Sequence, residues 1–176
     1  MRLTENPGNP VGQEQVMNSV LIDNEYLSAA LPDGFGDVPH GELEAFMRFR
    51  YNEMWGVRDD ERHMLICVTW KDAGKLLSKL VREKPYVKQV DEAFSKRYRN
   101  DSYRGNGFFE RVVAGADNTA QGLRFAYAPG GVANEGEVLV FKRGVRCYTL
   151  CYYTQADVAA DNRPVFDDFV ASLQVS

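Results

Sequence analysis

The side chains best suited to acid–base or metal chemistry lie in one charged run that ends at His63. Three acidic residues come shortly before this histidine: Asp59, Asp60 and Glu61. An imidazole beside a carboxylate can act as a general base or bind a metal ion, so the run suggests a small enzyme or a metal-dependent hydrolase. The acidic residues lack the spacing of a calcium-binding EF-hand loop, and the sequence has no HExxH motif. A charged loop that leads into a strand explains the same run without any chemistry, and both interpretations stay open.

Other catalytic signatures are missing from the sequence. His40 is the only other histidine, which excludes a site built from several histidines. There is no Gly-x-Ser-x-Gly nucleophile elbow and no phosphate-binding GxxxxGK(S/T) or GxGxxG motif. The glycine clusters at residues 105–107 and 129–131 are typical of turns. We therefore expect no cofactor, no metal and no catalytic residue, and the leading hypothesis is a non-catalytic binding or protein-assembly module.

The three cysteines, Cys67, Cys147 and Cys151, are too few for a disulfide scaffold and contain no CxxC pair. Cys147 and Cys151 fall in one predicted strand, where a spacing of four residues puts them on the same face about 13 Å apart. A disulfide needs Cα atoms within about 7 Å of each other. We therefore expect small, buried, reduced side chains in a reducing compartment.

The composition is that of a soluble globular protein. The chain has 176 residues, of which 44% are hydrophobic and 26% charged, enough for one domain with a substantial core. It contains no apolar stretch long enough to span a membrane and no apolar core of a signal peptide near its start. We expect a cytoplasmic protein if Met1 is the natural start, and an anchored or secreted domain if it is not. The composition does not indicate an oligomeric state.

Positive charge is concentrated in the middle of the chain. Residues 71–111 hold 11 Lys and Arg against 6 Asp and Glu, a net charge of +5, although the whole chain carries −4. Two predicted helices in this segment need a polar outer face in any case, so a solvated surface explains most of the excess. A surface for anions or nucleic acid is the alternative. The isoelectric point of about 5.3 disfavours a nucleic-acid partner.

The N-terminal half predicts strands after a flexible start. Residues 1–18 contain prolines and glycines without apolar periodicity, which predicts a flexible lead-in to a domain at residues 19–176. Apolar patterns then predict a hairpin at 19–31, a strand at 44–52 and another at 63–71. This last segment is apolar on both faces, as in the middle of a sheet that is covered on both sides.

Helical periodicity follows and then gives way to a series of strands. Apolar spacings of three and four predict helices at residues 75–82 and 87–98, then a loop at 100–107. Short turns suit an antiparallel meander with strands at 108–114, 122–128, 137–142 and 145–154. A closing helix is predicted up to residue 173, capped by Asp161 or Asn162 and with Pro164 near its first turn. We expect the middle helices on one side of the sheet and the closing helix on the other.

Three stretches carry a resemblance to known proteins: ALPDGF at 30–35, YTLCYYT at 148–154 and FDDFVASL at 166–173. With these stretches and the predicted order of strands and helices, the sequence resembles the PsbP-like fold. This fold is shared by the photosystem extrinsic protein, the yeast Ran-release factor and small bacterial proteins. The resemblance implies an α+β fold, in which an antiparallel sheet of about six strands is flanked by helices on both sides as an α/β/α sandwich. Its members mostly bind or assemble with other proteins, so the resemblance implies a protein partner and transfers no site residue.

A candidate interaction surface is predicted in the segment from Trp55 to Arg62, interpreted as a charged loop. An exposed tryptophan among arginines and carboxylates has the composition of an interaction hot spot. The candidate residues are Trp55, Arg58, Asp59, Asp60 and Arg62. The alternative is that Trp55 folds back onto the domain, in which case it belongs to the core.

Overall fold

A computed structural model describes residues 17–48, 53–74 and 82–176. The described residues form ten strands: β1 (Met17–Asp23), β2 (Leu27–Pro32), β3 (Gly36–Asp37), β4 (Met54–Asp59), β5 (Met64–Asp72), β6 (Arg104–Arg111), β7 (Ala120–Tyr127), β8 (Asn134–Arg143), β9 (Arg146–Gln155) and β10 (Gln174–Val175). The helices are α1 (His40–Met47), α2 (Glu83–Arg97) and α3 (Ala159–Ser172), with a 3₁₀ turn at Pro129–Gly131. No helix in these described ranges is long and apolar enough to cross a membrane.

The larger sheet is antiparallel throughout and has the strand order β3-β4-β5-β9-β8-β7-β6. The predicted meander is confirmed, because β6 to β9 pair consecutively. The two-sided strand is also confirmed: β5 lies near the centre of the sheet, and its first six residues are buried. The sheet has one strand more than expected because the two-residue β3 extends it beyond β4.

One face of this sheet is covered by α3 and by a second sheet with the order β1-β2-β10. The predicted N-terminal hairpin is β1 and β2, and the short β10 after α3 pairs with β2. Phe166 and Phe169 of α3 and Leu27 of β2 are fully buried in this layer. The apolar stripe predicted for the closing helix is therefore part of the core.

The opposite face is covered by α1 and α2. Phe94 of α2 packs edge-on against Phe125 of β7, with ring centroids 5.4 Å apart. Phe125 in turn packs edge-on against Tyr153 of β9 at 5.5 Å. The predicted placement of helices on both sides of the sheet is confirmed, since the two helical layers bury separate sets of side chains.

The strand predicted at 44–52 is wrong in its first part, because α1 ends at Met47; residues 49–52 lie outside the described residues. Leu43 and Met47, four positions apart, are the buried residues of this helix, and this helical spacing overrides the alternation seen further along the chain. Gly56 of β4 lets the helix approach, because a Cβ there would lie 2.6 Å from Leu43 Cδ2.

The charged loop predicted at 55–62 is also wrong, because β4 reaches Asp59 and only residues 60–63 form a turn. Val57 and Asp59 alternate with the exposed Arg58, as in a strand with one buried face. The strand was missed because one of its buried positions holds a carboxylate, which composition assigns to a loop.

The remaining differences concern the boundaries of elements. β1 begins at Met17, within the predicted lead-in. Residues 1–16 and most of the helix predicted at 75–82 lie outside the described residues. β6 begins at Arg104, inside the loop predicted at 100–107, with a bulge between Gly105 and Gly107. Pro164 lies inside α3, which begins at Ala159, earlier than the predicted caps.

Candidate binding cavity

A cavity of about 250 Å³ opens between α1 and the turn that joins β4 to β5. Its apolar wall is formed by residues of α1, of the segment before α1 and of the strands β5 and β9: Val38, Phe46, Met64, Leu65 and Tyr153. Its rim carries charged and polar side chains: Glu42, Arg58, Asp59, Asp60, His63, Asn134, Thr154 and Gln155. The cavity therefore combines an aromatic wall with a charged mouth.

Phe46 forms the exposed part of the aromatic wall. It projects from α1 with 39% of its surface exposed, and its ring meets that of Tyr153 edge-on at a centroid distance of 4.9 Å. The Tyr153 hydroxyl donates a hydrogen bond to Sδ of Met47 across 3.3 Å. Since Met47 and Tyr153 are both buried, the wall is held in place from below and leaves an apolar surface facing the cavity.

The rim is cross-linked by Arg58. Its Nη1 donates to Oε1 of Glu42 on α1, and its Nε lies 2.7 Å from Oδ1 of Asp60 in the turn. The hydrogen bond to Glu42 and the negative charges of Asp60 and Glu42 raise the pKa of Arg58, so the guanidinium stays charged. One arginine thus faces two carboxylates, which leaves this part of the rim negative.

Asp59 is buried and stabilises the turn between β4 and β5. Its carboxylate accepts a hydrogen bond from the backbone N–H of Arg62 at 2.9 Å and another from the Arg62 guanidinium. Gly34 has a φ of +103°, and a Cβ there would lie 2.7 Å from Oδ2 of Asp59. From the other side, Asn162 Nδ2 donates to the backbone oxygen of Arg62 at 2.6 Å. Asp59 therefore fixes the turn and does not offer a free carboxylate.

His63 closes the same turn in the left-handed conformation, with a φ of 52°. Its side chain is exposed and lines the cavity with Asp59 and Asp60. Within the described part of the chain no hydrogen bond or ion pair joins His63 to a carboxylate, because Asp59 and Asp60 are bound by arginines. No group of three or more His, Cys, Asp or Glu residues in the described ranges could hold a metal ion. The structure thus places His63, Asp59 and Asp60 of the hydrolase hypothesis in one cavity, where the two carboxylates pair with arginines and not with the imidazole.

The five residues of the predicted interaction surface do not form one surface. Trp55 is half-buried and stacks on Phe169 of α3, with ring centroids 6.5 Å apart and an angle of 5° between the planes. Arg58 points to the opposite face of the sheet, toward α1. Of the predicted residues, Arg58, Asp59 and Asp60 line the cavity, whereas Arg62 holds Asp59.

Sequence reasoning missed Glu42 and Phe46, which supply one side of the cavity. Both lie on α1, and Phe46 falls within the strand that was predicted at 44–52. The signal that could have located them was the pair Leu43 and Met47, whose spacing of four residues defines a buried helix stripe. With that helix in place, Phe46 falls beside the stripe and faces the end of the sheet.

No protein-family model matches the sequence, and no curated protein matches it. The solution structure of the cyanobacterial PsbP, CyanoP, from Synechocystis sp. PCC 6803 is similar to this chain, with a TM-score of 0.66 and 14% identity over 97% of this chain and 98% of that chain. LpqN, involved in cell envelope biogenesis of Mycobacterium tuberculosis, has a TM-score of 0.58 and 11% identity over 94% of this chain and 87% of that chain.

A third similar structure is PA94 of Pseudomonas aeruginosa, a protein of unknown function and putative regulator. It has a TM-score of 0.51 and 11% identity over 86% of this chain and 91% of that chain. The fold is an α+β sandwich around an antiparallel sheet. The structural similarities identify it as the PsbP-like fold, as the sequence resemblance implied. At identities this low, the similarities extend to the fold alone.

Proposed function

We propose that the protein is a non-catalytic binding module whose cavity between α1 and the β4–β5 turn accepts a lysine or arginine side chain of a protein partner. The observation that carries this proposal is the pairing of an aromatic wall, Phe46 and Tyr153, with a rim that holds more carboxylates than cations. A lysine or arginine side chain matches this arrangement, because it has an apolar stem and a charged end. The stem can pack on the aromatic wall while the charged end stays at the mouth of the cavity.

The charge of the surrounding surface supports a cationic guest. A second cavity of about 350 Å³ adjoins the first and shares Arg58, Asp59 and Asp60 with it. Asp37 and Glu61 also line this second cavity, so carboxylates outnumber cations there as well. The negative electrostatic potential of these carboxylates steers a basic partner toward the site and raises its rate of association. This effect weakens as salt is added.

The size of the cavity suits a single side chain. Sites for drug-sized ligands usually enclose about 300–1,000 Å³, whereas this cavity measures about 250 Å³. A partner that inserts one side chain also contacts the exposed rim. The PsbP-like resemblance, whose members mostly bind other proteins, agrees with a protein partner.

The test uses two probes that share the aliphatic stem and differ in the terminal ammonium group: N-acetyl-lysine methylamide, which carries it, and the neutral N-acetyl-norleucine methylamide, which lacks it. Amide chemical shifts of the labelled protein are followed during titration with each. We expect the lysine probe to shift residues that line the cavity, and to bind several-fold more tightly than the neutral analogue. Equal binding of the two probes, or shifts scattered over the whole surface, would contradict the proposal.

Matched variants separate the cavity from general surface effects. Phe46→Ala and Asp60→Asn should weaken the binding of the lysine probe, since they remove the wall and one carboxylate of the rim. Phe108 and Glu110 are exposed on β6 and do not line the cavity, so Phe108→Ala and Glu110→Gln serve as controls with unchanged binding.

The hydrolase alternative rests on the presence of His63 in the same cavity. It has less support, because the nearby carboxylates Asp59 and Asp60 are bound by Arg62 and Arg58. A screen of ester, amide and phosphoester substrates is the direct test. Saturable hydrolysis that disappears in His63→Ala, while the variant keeps its fold, would replace the binding proposal with the enzymatic one.

A further inference from the structure

Three sulfur atoms from three different elements meet beneath α1. Sγ of Cys67 on β5 lies 3.7 Å from Sδ of Met47 at the end of α1. Cys67 and Cys151 are direct partners in the β5–β9 ladder and belong to the same buried cluster, so their side chains lie next to each other on one face of the sheet. All three side chains are at most 2% exposed. The cluster therefore lies within the core, separate from the charged mouth of the cavity.

The spacing of these sulfur atoms suits a bound ion. Metal–sulfur bonds of about 2.3 Å place neighbouring sulfur ligands of one ion roughly 3.8–4.0 Å apart. The separation of 3.7 Å between Met47 Sδ and Cys67 Sγ is close to that range, so these two sulfur atoms are spaced as ligands of one ion. Thiolates and a thioether are soft ligands, and in proteins such ligands select Cu(I).

The surroundings of the three sulfur atoms are rich in tyrosine side chains. Tyr153 already donates to Sδ of Met47 at 3.3 Å, and its ring lies 6.1 Å from that of Tyr127. Tyr98 packs against Tyr127 at 4.9 Å. A hydrogen bond to a ligand atom, such as the one from Tyr153 to Met47, holds the ligand in position.

We propose that Met47, Cys67 and Cys151 form a binding site for one Cu(I) ion. On binding, each of the two thiols loses its proton to solvent and forms a copper–thiolate bond, while Met47 contributes a thioether lone pair. The oxidation state of the copper does not change, and no further reactant is needed. The site is independent of the binding function proposed for the cavity.

The experiment is an anaerobic titration of the whole chain with Cu(I), in competition with a chromophoric Cu(I) chelator. We expect one equivalent to bind to the folded protein, with unchanged far-UV circular dichroism and a higher melting temperature, because a ligand that binds only the native state stabilises it. X-ray absorption should show sulfur ligands only.

Cys147 provides a matched control. It lies on the same strand as Cys151 and is also buried and free, but it stands four residues away. Cys67→Ser and Cys151→Ser should each weaken binding by more than about 100-fold, beyond the loss typical of removing a supporting contact, whereas Cys147→Ser should bind as the unchanged protein does. Met47→Leu keeps the packing volume and should remove one sulfur from the X-ray absorption signal.

Three results would overturn the proposal. One is the absence of stoichiometric binding by the folded protein. Another is equal affinity of Cys67→Ser and Cys147→Ser, which would mean that any thiol suffices. The third is binding accompanied by loss of native circular dichroism, which would assign it to the unfolded chain. Cys67→Ala and Cys151→Ala, checked for a native melting transition, guard against loss of binding through misfolding.

Discussion

Arg146 of β9 donates a hydrogen bond from Nη1 to Oδ2 of Asp23 at the end of β1, across 2.7 Å. Asp23 is only 3% exposed and also accepts a hydrogen bond from the Tyr148 hydroxyl at 3.0 Å. The same guanidinium holds Asp72 of β5 through Nε and Nη2. Because β1 belongs to the smaller sheet and β5 and β9 to the larger one, this contact ties the two sheets together.

Replacing Asp23 by alanine should destabilise the protein by about 2–3 kcal/mol, because a buried acceptor is lost while Tyr148 and Arg146 remain beside it. The measurement is urea unfolding. Asp72→Ala is the control: Asp72 is half exposed, so its loss should cost less than about 1 kcal/mol. Equal losses for the two variants would mean that Asp23 has no special role between the sheets.

Gly56→Ala should destabilise the protein by about 1–3 kcal/mol, because the added Cβ would lie 2.6 and 2.9 Å from the two Cδ atoms of Leu43. Leu43 is buried, so α1 must move, and Phe46 moves with it. Gly41→Ala is the matched control, since a Cβ there meets nothing within 4 Å. That variant should be neutral or more stable by about 0.5–1 kcal/mol, as expected for alanine in place of glycine in a helix. Thermal and urea unfolding check both variants, and a Gly56→Ala protein as stable as the unchanged chain would refute the close packing of α1 on β4.

Trp55→Ala should lower the stability by about 1.5–3 kcal/mol, less than for a fully buried tryptophan because the side chain is half-buried. The lost contact is the stacking on Phe169. Trp55→Phe should recover part of the loss, since it keeps an aromatic ring at this position. An unchanged melting temperature combined with loss of partner binding would instead support the exposed contact surface that the sequence suggested as one of two alternatives.

Stability should fall above about pH 10. Burial raises the pKa of Tyr152 to about 12, against about 10 in an unfolded chain. As pH rises through this window, the unfolded state loses the proton first, so the native state binds more protons and becomes less stable. Below about pH 10 the contribution is constant.

Tyr152→Phe isolates this effect, because it removes the ionisable hydroxyl and keeps the ring that stacks on Phe166 at 4.3 Å. Urea unfolding of both proteins between pH 8 and 11.5 is the measurement. We expect the free energy of unfolding of the variant to fall less steeply with pH. The difference in slope should correspond to at most one bound proton per molecule. Burial likewise raises the pKa of Tyr127 and Tyr148, so some alkaline destabilisation should remain. Parallel pH profiles for the two proteins would show that Tyr152 does not titrate differently in the two states.

The parts of the fold that could be predicted from sequence are those governed by local pattern. Short glycine turns between apolar runs predicted the antiparallel order of β6 to β9, and apolar residues on both faces predicted the central place of β5. These signals are strong because sheet burial and turn geometry act within a few residues.

The cavity could not be predicted because it depends on two elements whose patterns were ambiguous. In α1, the helical pair Leu43 and Met47 competed with an alternating pattern further along, and only packing on Gly56 decides between them. In β4, an aspartate at position 59 is typical of a loop, and its burial in a strand depends on its contact with Arg62. Both cases turn on contacts across the fold, which one sequence does not reveal.

The pairing of β2 with β10 has a consequence for the order of folding. These strands lie at opposite ends of the described chain, so their pairing must close a very long loop, and the entropy of that closure is lost before the contact stabilises anything. The β8–β9 hairpin closes within two residues. In pulse-labelled hydrogen exchange, the amides of β8 and β9 should become protected before those of β10. The smaller sheet is then completed last, when β10 adds to the β1–β2 hairpin, and this step sets the rate at which the chain reaches its native state.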